Sequence, residues 1–285
     1  MIWLRVKKLK TLNPQPVTPN SKTMINDVST LDITVYPPEK QGRGAFDEGR
    51  ITEYKPIGFP GDGAEVKRVG PLFYWAWASA HAPGKIGLHP HQAFEIMSYV
   101  LEGEIGHYDT LGTRSRVSRG GAQVMQTGSG VMHEEEMSEA GTQFFQIWFE
   151  PYLREALGRA PTYAEHHHDD FPIHKEDGVT LKTVIGEGAP VELVAEVAMQ
   201  DVTVTPGALY RRALAAGRSL AAVAIRGAGR WQAGDSEPVS VAAQDFTVIH
   251  AGADAAITVV AEEGEPLRLA IIEVPTEVDY PLYRK

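Results

Sequence analysis

The sequence predicts an all-β protein of two tandem β domains, and three observations carry the prediction. Twenty-eight glycines and 19 prolines punctuate the 285 residues. The apolar runs between them are short and alternate with a period of two, and a second set of runs repeats the order of the first. At 43% hydrophobic and 22% charged, the chain has the composition of a globular protein with a real core.

The formal charge of −10 argues against binding to a phosphate backbone, because such binders bring cations to the polyanion. The absence of cysteine removes disulfides, thiolate metal sites and thiol catalysis, leaving His, Asp and Glu as the strong metal ligands. The opening MIWLRVKKLK is too short for a signal-peptide core or a bilayer span. It reads as a short basic arm, so a cytoplasmic location and no membrane partner are expected.

From Gly70 onward, PLFYWAWAS sets Phe73, Trp75 and Trp77 on one strand face, where core packing is their expected role. FEIMSYVLEGEIGHYDTLGT reads as a strand, a Glu-Gly turn, a second strand and a hairpin at Asp109 to Gly112. TQFFQIWFEP is a further alternating strand ended by Pro151. Between residues 151 and 177 the pattern changes to a short helical piece and polar, proline-containing chain, the expected linker. Beyond it, AEVAMQDVTVTPGA, SLAAVAIRGAGRWQ, FTVIHAGADAAITVV and PLRLAIIEVP return to short strands. The expected division is therefore 1–150, 151–177 and 178–285.

Gly103 and Gly227 precede equivalent hairpins, and Gly128 and Gly252 follow them by the same 25 residues, so the copies are offset by 124. That register carries chemistry. In a strand, positions i and i+2 face one side, so His89 and His91 can aim both imidazoles at one point inside a barrel. VMHEEEM offers His133 and Glu135 at the same spacing. Three imidazoles and one carboxylate suit a first-row transition metal with open coordination positions.

The stretches VGPLFYWAWA, HPHQAFEIMSYVLEGEIGHYDTLG, QVMQTGSGVMHEEEM, FQIWFEP and EHHHD resemble the pirin family of the cupin superfamily. The resemblance implies two tandem cupin (double-stranded β-helix, jelly-roll) barrels joined by a short linker. It implies one mononuclear metal in the first barrel, iron foremost with manganese, nickel, copper and zinc as alternatives, held by His89, His91, His133 and Glu135. The chain departs from the family's pattern at Gln92 and Ser129, where arginines are usual, at Arg119, Gly120 and Gly121 in place of Pro-Gly-Asp, and at Val124 in place of tryptophan. These changes are expected to strip two cations and one aromatic from the rim of the site.

Glu95, four residues after His91, is a rival for the carboxylate ligand, since an even offset keeps it on the inward face of a continuous strand. With Glu135 as ligand, Glu95 is expected to orient an imidazole. Adding 124 to the four ligand positions gives Ala213, Ala215, Ile257 and Val259, so the second barrel is expected to hold no metal. The run His166, His167, His168, Asp169, Asp170, with His174 nearby, is expected to be solvated or to bridge domains. His81, His107 and His250 have no partner at ligand spacing.

Such a metal site leaves positions for substrate and dioxygen together, and no organic cofactor is implied. The resemblance implies a quercetin 2,3-dioxygenase-like ring opening of a flavonol or related enol, with Glu135 also accepting the substrate's hydroxyl proton. Phe73, Trp75, Trp77 and Phe94 would suit a flat substrate where they reach the cavity. The same resemblance offers an iron-dependent redox-sensing regulator that acts through a protein partner and not by direct nucleic-acid contact. A metallo-cupin isomerase or small-molecule binding protein is the third reading.

Overall fold

Alternation with a period of two gives each strand two distinct faces, and this chain buries both by building two sandwiches and stacking them. The computed structural model describes residues 31–284, so the basic arm expected at the N-terminus lies outside the described residues. The strands of the first half are β1 (Leu31–Tyr36), β2 (Gly42–Phe46), β3 (Ile51–Ile57), β4 (Leu72–Ala80), β5 (Gly84–His91), β6 (Glu95–Glu102), β7 (Glu104–Asp109), β8 (Arg114–Ser118), β9 (Ala122–Gln126), β10 (Val131–Met137) and β11 (Gln143–Phe149). Those that follow are β12 (Thr162–His166), β13 (Ile173–Glu176), β14 (Val179–Ile185), β15 (Ala198–Val204), β16 (Leu209–Leu214), β17 (Arg218–Arg226), β18 (Ala228–Ala233), β19 (Val239–Ala242), β20 (Phe246–Ala251), β21 (Ala255–Ala261) and β22 (Leu267–Pro275). Among the described residues, helix is confined to one turn at Leu153–Ala156 and three short 3-10 turns.

The first barrel closes a seven-stranded sheet, β12-β9-β6-β11-β4-β3-β2, against a four-stranded sheet, β5-β10-β7-β8. The second repeats the plan with β1-β20-β17-β22-β15-β14-β13 against β16-β21-β18-β19. The offset of 124 carries β10 onto the bounds of β21 and β7 onto those of β18. Gly103 and Gly227 occupy the equivalent turns at φ 72° and 74°, a left-handed backbone that glycine adopts without strain.

Two placements differ from the sequence reading. β1 pairs with β20, so the first described strand completes the second barrel's sheet. Leu31, 3% exposed, packs in that barrel's core. The stretch 151–177 is also more ordered than a plain linker, because β12 pairs with β9 at the edge of the first sheet and β13 with β14 at the edge of the second. Its side chains are mostly exposed, and ladder pairing without a buried face leaves little period-two signal to read.

The two seven-stranded sheets pack face to face. Trp75, Trp77, Met97, Tyr99, Phe145 and Ile147 of the first meet Met199, Val223, Phe246, Val248 and Ile272 of the second in one buried cluster. Inside the second barrel the core is continuous and apolar, with Ile257 and Val259 among its members. Inside the first, the apolar filling splits into two smaller clusters, one around Ile105, Val117 and Phe144 and the other of Ile96, Met125 and Val131. The polar residues Ser98, Gln123, His133, Glu135 and Gln146 are buried in the same barrel. Buried polar groups at that density need a function or a complete set of partners.

Candidate metal centre

β5 and β10 are antiparallel neighbours, with His89 opposite His133 and His91 opposite Val131. The pairing brings the three imidazoles together, with ring centroids 4.7 Å apart for His89 and His91, 4.5 Å for His89 and His133, and 4.9 Å for His91 and His133. One nitrogen from each lies within 4.8 Å of the other two, a span that one ion at ordinary metal–nitrogen distances can bridge. Among the described residues this is the one His/Asp/Glu group with that property.

The electrostatics fit a cation better than protons. Burial, reinforced by His89, pushes His91 down to about 3. Burial together with His89, His91 and His107 pushes His133 down to about 2. Both are therefore neutral at ordinary pH. Nε2 of His91 and both ring nitrogens of His133 are buried without a hydrogen-bond partner. Nδ1 of His89 lies 2.7 Å from the Gly87 carbonyl, which can only accept, so Nδ1 carries a proton and Nε2 is the nitrogen left to face a metal. Orphaned nitrogens converging in this way are the donor set a transition metal requires.

Glu135 follows His133 on β10 and is fully buried. Its Oε1 accepts from Gln146 Nε2 at 2.5 Å and Ser98 Oγ at 3.3 Å, while Oε2 is buried with no partner. Burial lifts its pKa to about 7 against the Gln146 and Ser98 hydrogen bonds, with the charge of Glu53 adding to the rise. The carboxyl lies in the same barrel as the histidines but outside the 4.8 Å group. Carboxylate ligation by Glu135 is thus a proposal taken up below.

Glu95 takes a different place from the one its spacing suggests. Its carboxylate accepts from Gln126 Nε2 at 2.7 Å and from the backbone N–H groups of Val194 and Ala195 at 2.7 and 2.9 Å. The strand breaks between β5 and β6, where Ala93 adopts φ 72°, so parity counted from His91 is lost. Glu95 shares the face of Met97, Tyr99 and Leu101, which packs on the second barrel, and it orients no imidazole.

A cavity of about 420 Å³ opens beside the histidines, lined by His89, His91, Trp148, Phe59, Tyr74 and Phe46 among others. Phe73, Trp75, Trp77 and Phe94 do not line it; Trp75 and Trp77 face the second barrel, and Phe73 packs against Phe94 with ring centroids 4.5 Å apart. Val124 is likewise in the core between barrels and not on the rim, whereas Gln92 bonds the Ser129 carbonyl at 3.0 Å at the surface.

His107, which the sequence reading set aside as lacking a partner at ligand spacing, belongs to the neighbourhood. His107 is buried, lies 3.0 Å from Asp109 through Nε2, stacks on Tyr163 at 4.3 Å, and has its ring 5.5 Å from that of His133. Its signal was the same i, i+2 spacing, His107 with Asp109 on β7, beside β10. The other histidines go elsewhere: His81 to Thr52, His166 edge-on to Phe171, His167 to Asp170 through its backbone N–H, His168 to Lys182, His174 to Glu176 and His250 to Ser219.

Comparison with known proteins agrees with this picture. The pirin family profile matches residues 75–149, which run from β4 to the end of β11 and contain all four expected ligands. Pirin-like protein 2 of Arabidopsis thaliana is 32% identical over 161 residues, covering 52% of this chain and 50% of its own. The chain thus spans about half the length of this relative. Among solved structures, a quercetin 2,3-dioxygenase from Acinetobacter baumannii superposes with a TM-score of 0.72 at 18% identity, over 85% of this chain and 79% of its own. A bacterial pirin from Escherichia coli, solved in complex with nickel(II), gives 0.69 at 19% identity over 86% and 99%. These two likenesses concern the fold, and the sequence match concerns the barrel that holds the histidines. The likeness to the pirin family thus covers the barrel that holds the histidines, and the solved structures share the fold over most of the chain.

Proposed function

We propose that this protein is a metal-dependent dioxygenase of the quercetin 2,3-dioxygenase type, opening the ring of a flavonol or related enol with dioxygen. The observation that carries the reading is three imidazoles converging within 4.8 Å at the wall of a cavity framed by aromatic side chains. The name of the Acinetobacter baumannii protein with the same fold points the same way.

His89, His91 and His133 would hold the ion, with Glu135 as its oxygen ligand and iron as its identity. A metal held by these residues would supply Lewis-acid and dioxygen-activating chemistry. The protein's own residues do the rest. Trp148, whose ring is 4.8 Å from that of His91, and Phe59 and Tyr74 form apolar walls that orient a flat ring system and displace water. Glu135 would offer the ion the oxygen that has no partner, and a pKa near 7 in the metal-free protein suits that same oxygen to take the enol proton when it leaves the ion, while Gln146 and Ser98 hold the other.

Dioxygen uptake by iron-loaded protein across a flavonol panel tests the proposal, with His91→Ala as the control. Uptake with at least one flavonol, abolished by the substitution, is expected. No uptake by metal-replete protein would overturn the enzyme reading in favour of the redox regulator.

A further inference from the structure

The cavity beside the histidines is also lined by Glu53, Lys55 and Asp62, charged residues that the proposed chemistry does not use. Lys55 Nζ lies 3.6 Å from Glu53 Oε2 and 3.3 Å from Asp62 Oδ2, and the side chains are 11%, 2% and 22% exposed respectively. The Tyr74 hydroxyl donates to the same Glu53 oxygen at 3.4 Å, and Asp62 also accepts from the Phe59 backbone N–H at 2.8 Å. Glu53 and Lys55 share one face of β3 at i, i+2. The facing residue of β2 is Gly44, where a Cβ would lie 2.7 Å from Glu53 Oε2 and 2.9 Å from Lys55 Cε. A bare backbone position makes room for the pair.

A buried ion pair seldom contributes more stability than apolar residues of the same volume would, so its presence at the wall of a ligand cavity calls for a ligand. An ammonium has three donors, and two carboxylates engage only part of that capacity. A hydroxyl satisfies such a pair completely, because it accepts from the ammonium and donates to the carboxylate. We infer that Lys55 and Glu53 recognise a phenolic hydroxyl of an aromatic ligand other than the one at the metal, selecting hydroxylated over bare ring systems. The inference rests on the flavonol reading and adds its specificity-determining residues.

The test compares 3-hydroxyflavone with 3,4′-dihydroxyflavone binding to iron-loaded protein without dioxygen, read by isothermal titration calorimetry. The wild type should bind the dihydroxy compound about tenfold more tightly. The charge-balanced double variant Glu53→Gln/Lys55→Met should bring its affinity to within about twofold of that for 3-hydroxyflavone. Gly44→Ala, which crowds the pair without removing a charge, should reduce the preference as well and serves if the double variant does not fold. An undiminished preference in these variants, or equal affinity of the wild type for both compounds, would overturn the inference and leave the flavonol reading standing. Failure of the wild type to bind either compound would overturn both.

Discussion

The carboxylate of Glu95, four residues beyond His91, is bonded to the backbone N–H groups of Val194 and Ala195 at 2.7 and 2.9 Å. The residue that the sequence offers as a rival ligand therefore ties the barrel of the three histidines to the second one. Glu95→Gln is predicted to leave metal content unchanged and to lower stability by about 1–3 kcal/mol, measured by urea unfolding of the metal-loaded protein. Loss of metal from a folded variant would contradict the assignment.

Glu135 should behave in the opposite way. Glu135→Gln is predicted to lose metal affinity yet stabilise the metal-free protein at neutral and alkaline pH. The sign follows from linkage. The folded pKa of about 7 lies above the ordinary 4.5, so the wild type is most favoured below pH 4.5 and loses stability as pH rises through 7. The loss is on the order of 3 kcal/mol, and the glutamine escapes it. Unfolding of the metal-free proteins at pH 4 and pH 8 should show near-equal stability at the lower pH and an advantage for the variant at the higher.

Metal binding should carry the same signature. His91 and His133, pushed down to about 3 and 2, hold no proton to displace, whereas Glu135 is protonated below 7. Affinity is expected to level off above pH 7 and to fall about tenfold per unit below it, with about one proton released per ion bound. Calorimetry in buffers of different ionisation enthalpy checks this. Binding without proton release at pH 6 would remove Glu135 from the ligand set.

Tyr99 donates to Asp201 at 2.7 Å, and Arg268 bonds both oxygens of the same carboxylate at 3.0 and 2.7 Å. Because this hydrogen bond is buried and crosses from one barrel to the other, Tyr99→Phe should cost about 1–3 kcal/mol with metal content unchanged. Thermal unfolding followed by circular dichroism reads the first and elemental analysis the second.

The repeat and the three histidines were legible in the sequence because each rests on spacing within regular strands. The two pairs 89/91 and 133/135 each lie within one strand, and the offset of 124 matches strand bounds in both barrels. Legibility failed where a contact depends on a break in a strand or on distant chain. The turn at Ala93 hid the orientation of Glu95, and the pairing of β1 with β20 joins residues about 215 apart. The cavity walls were obscured for a related reason: Phe73, Trp75 and Trp77 share a face, but the sequence does not say whether it meets the barrel interior or the neighbouring sheet. Tyr74 and Trp148, which do line the cavity, carry the opposite parity on their strands.

X-ray absorption at the metal edge, with elemental analysis of the same purified protein, tests the central claim most directly. One transition-metal ion per chain, bound by three imidazoles and a carboxylate, is predicted, with the imidazole count falling in His133→Ala. A protein that takes up no ion from iron or nickel, or an ion whose signal His133→Ala leaves unaltered, would contradict it.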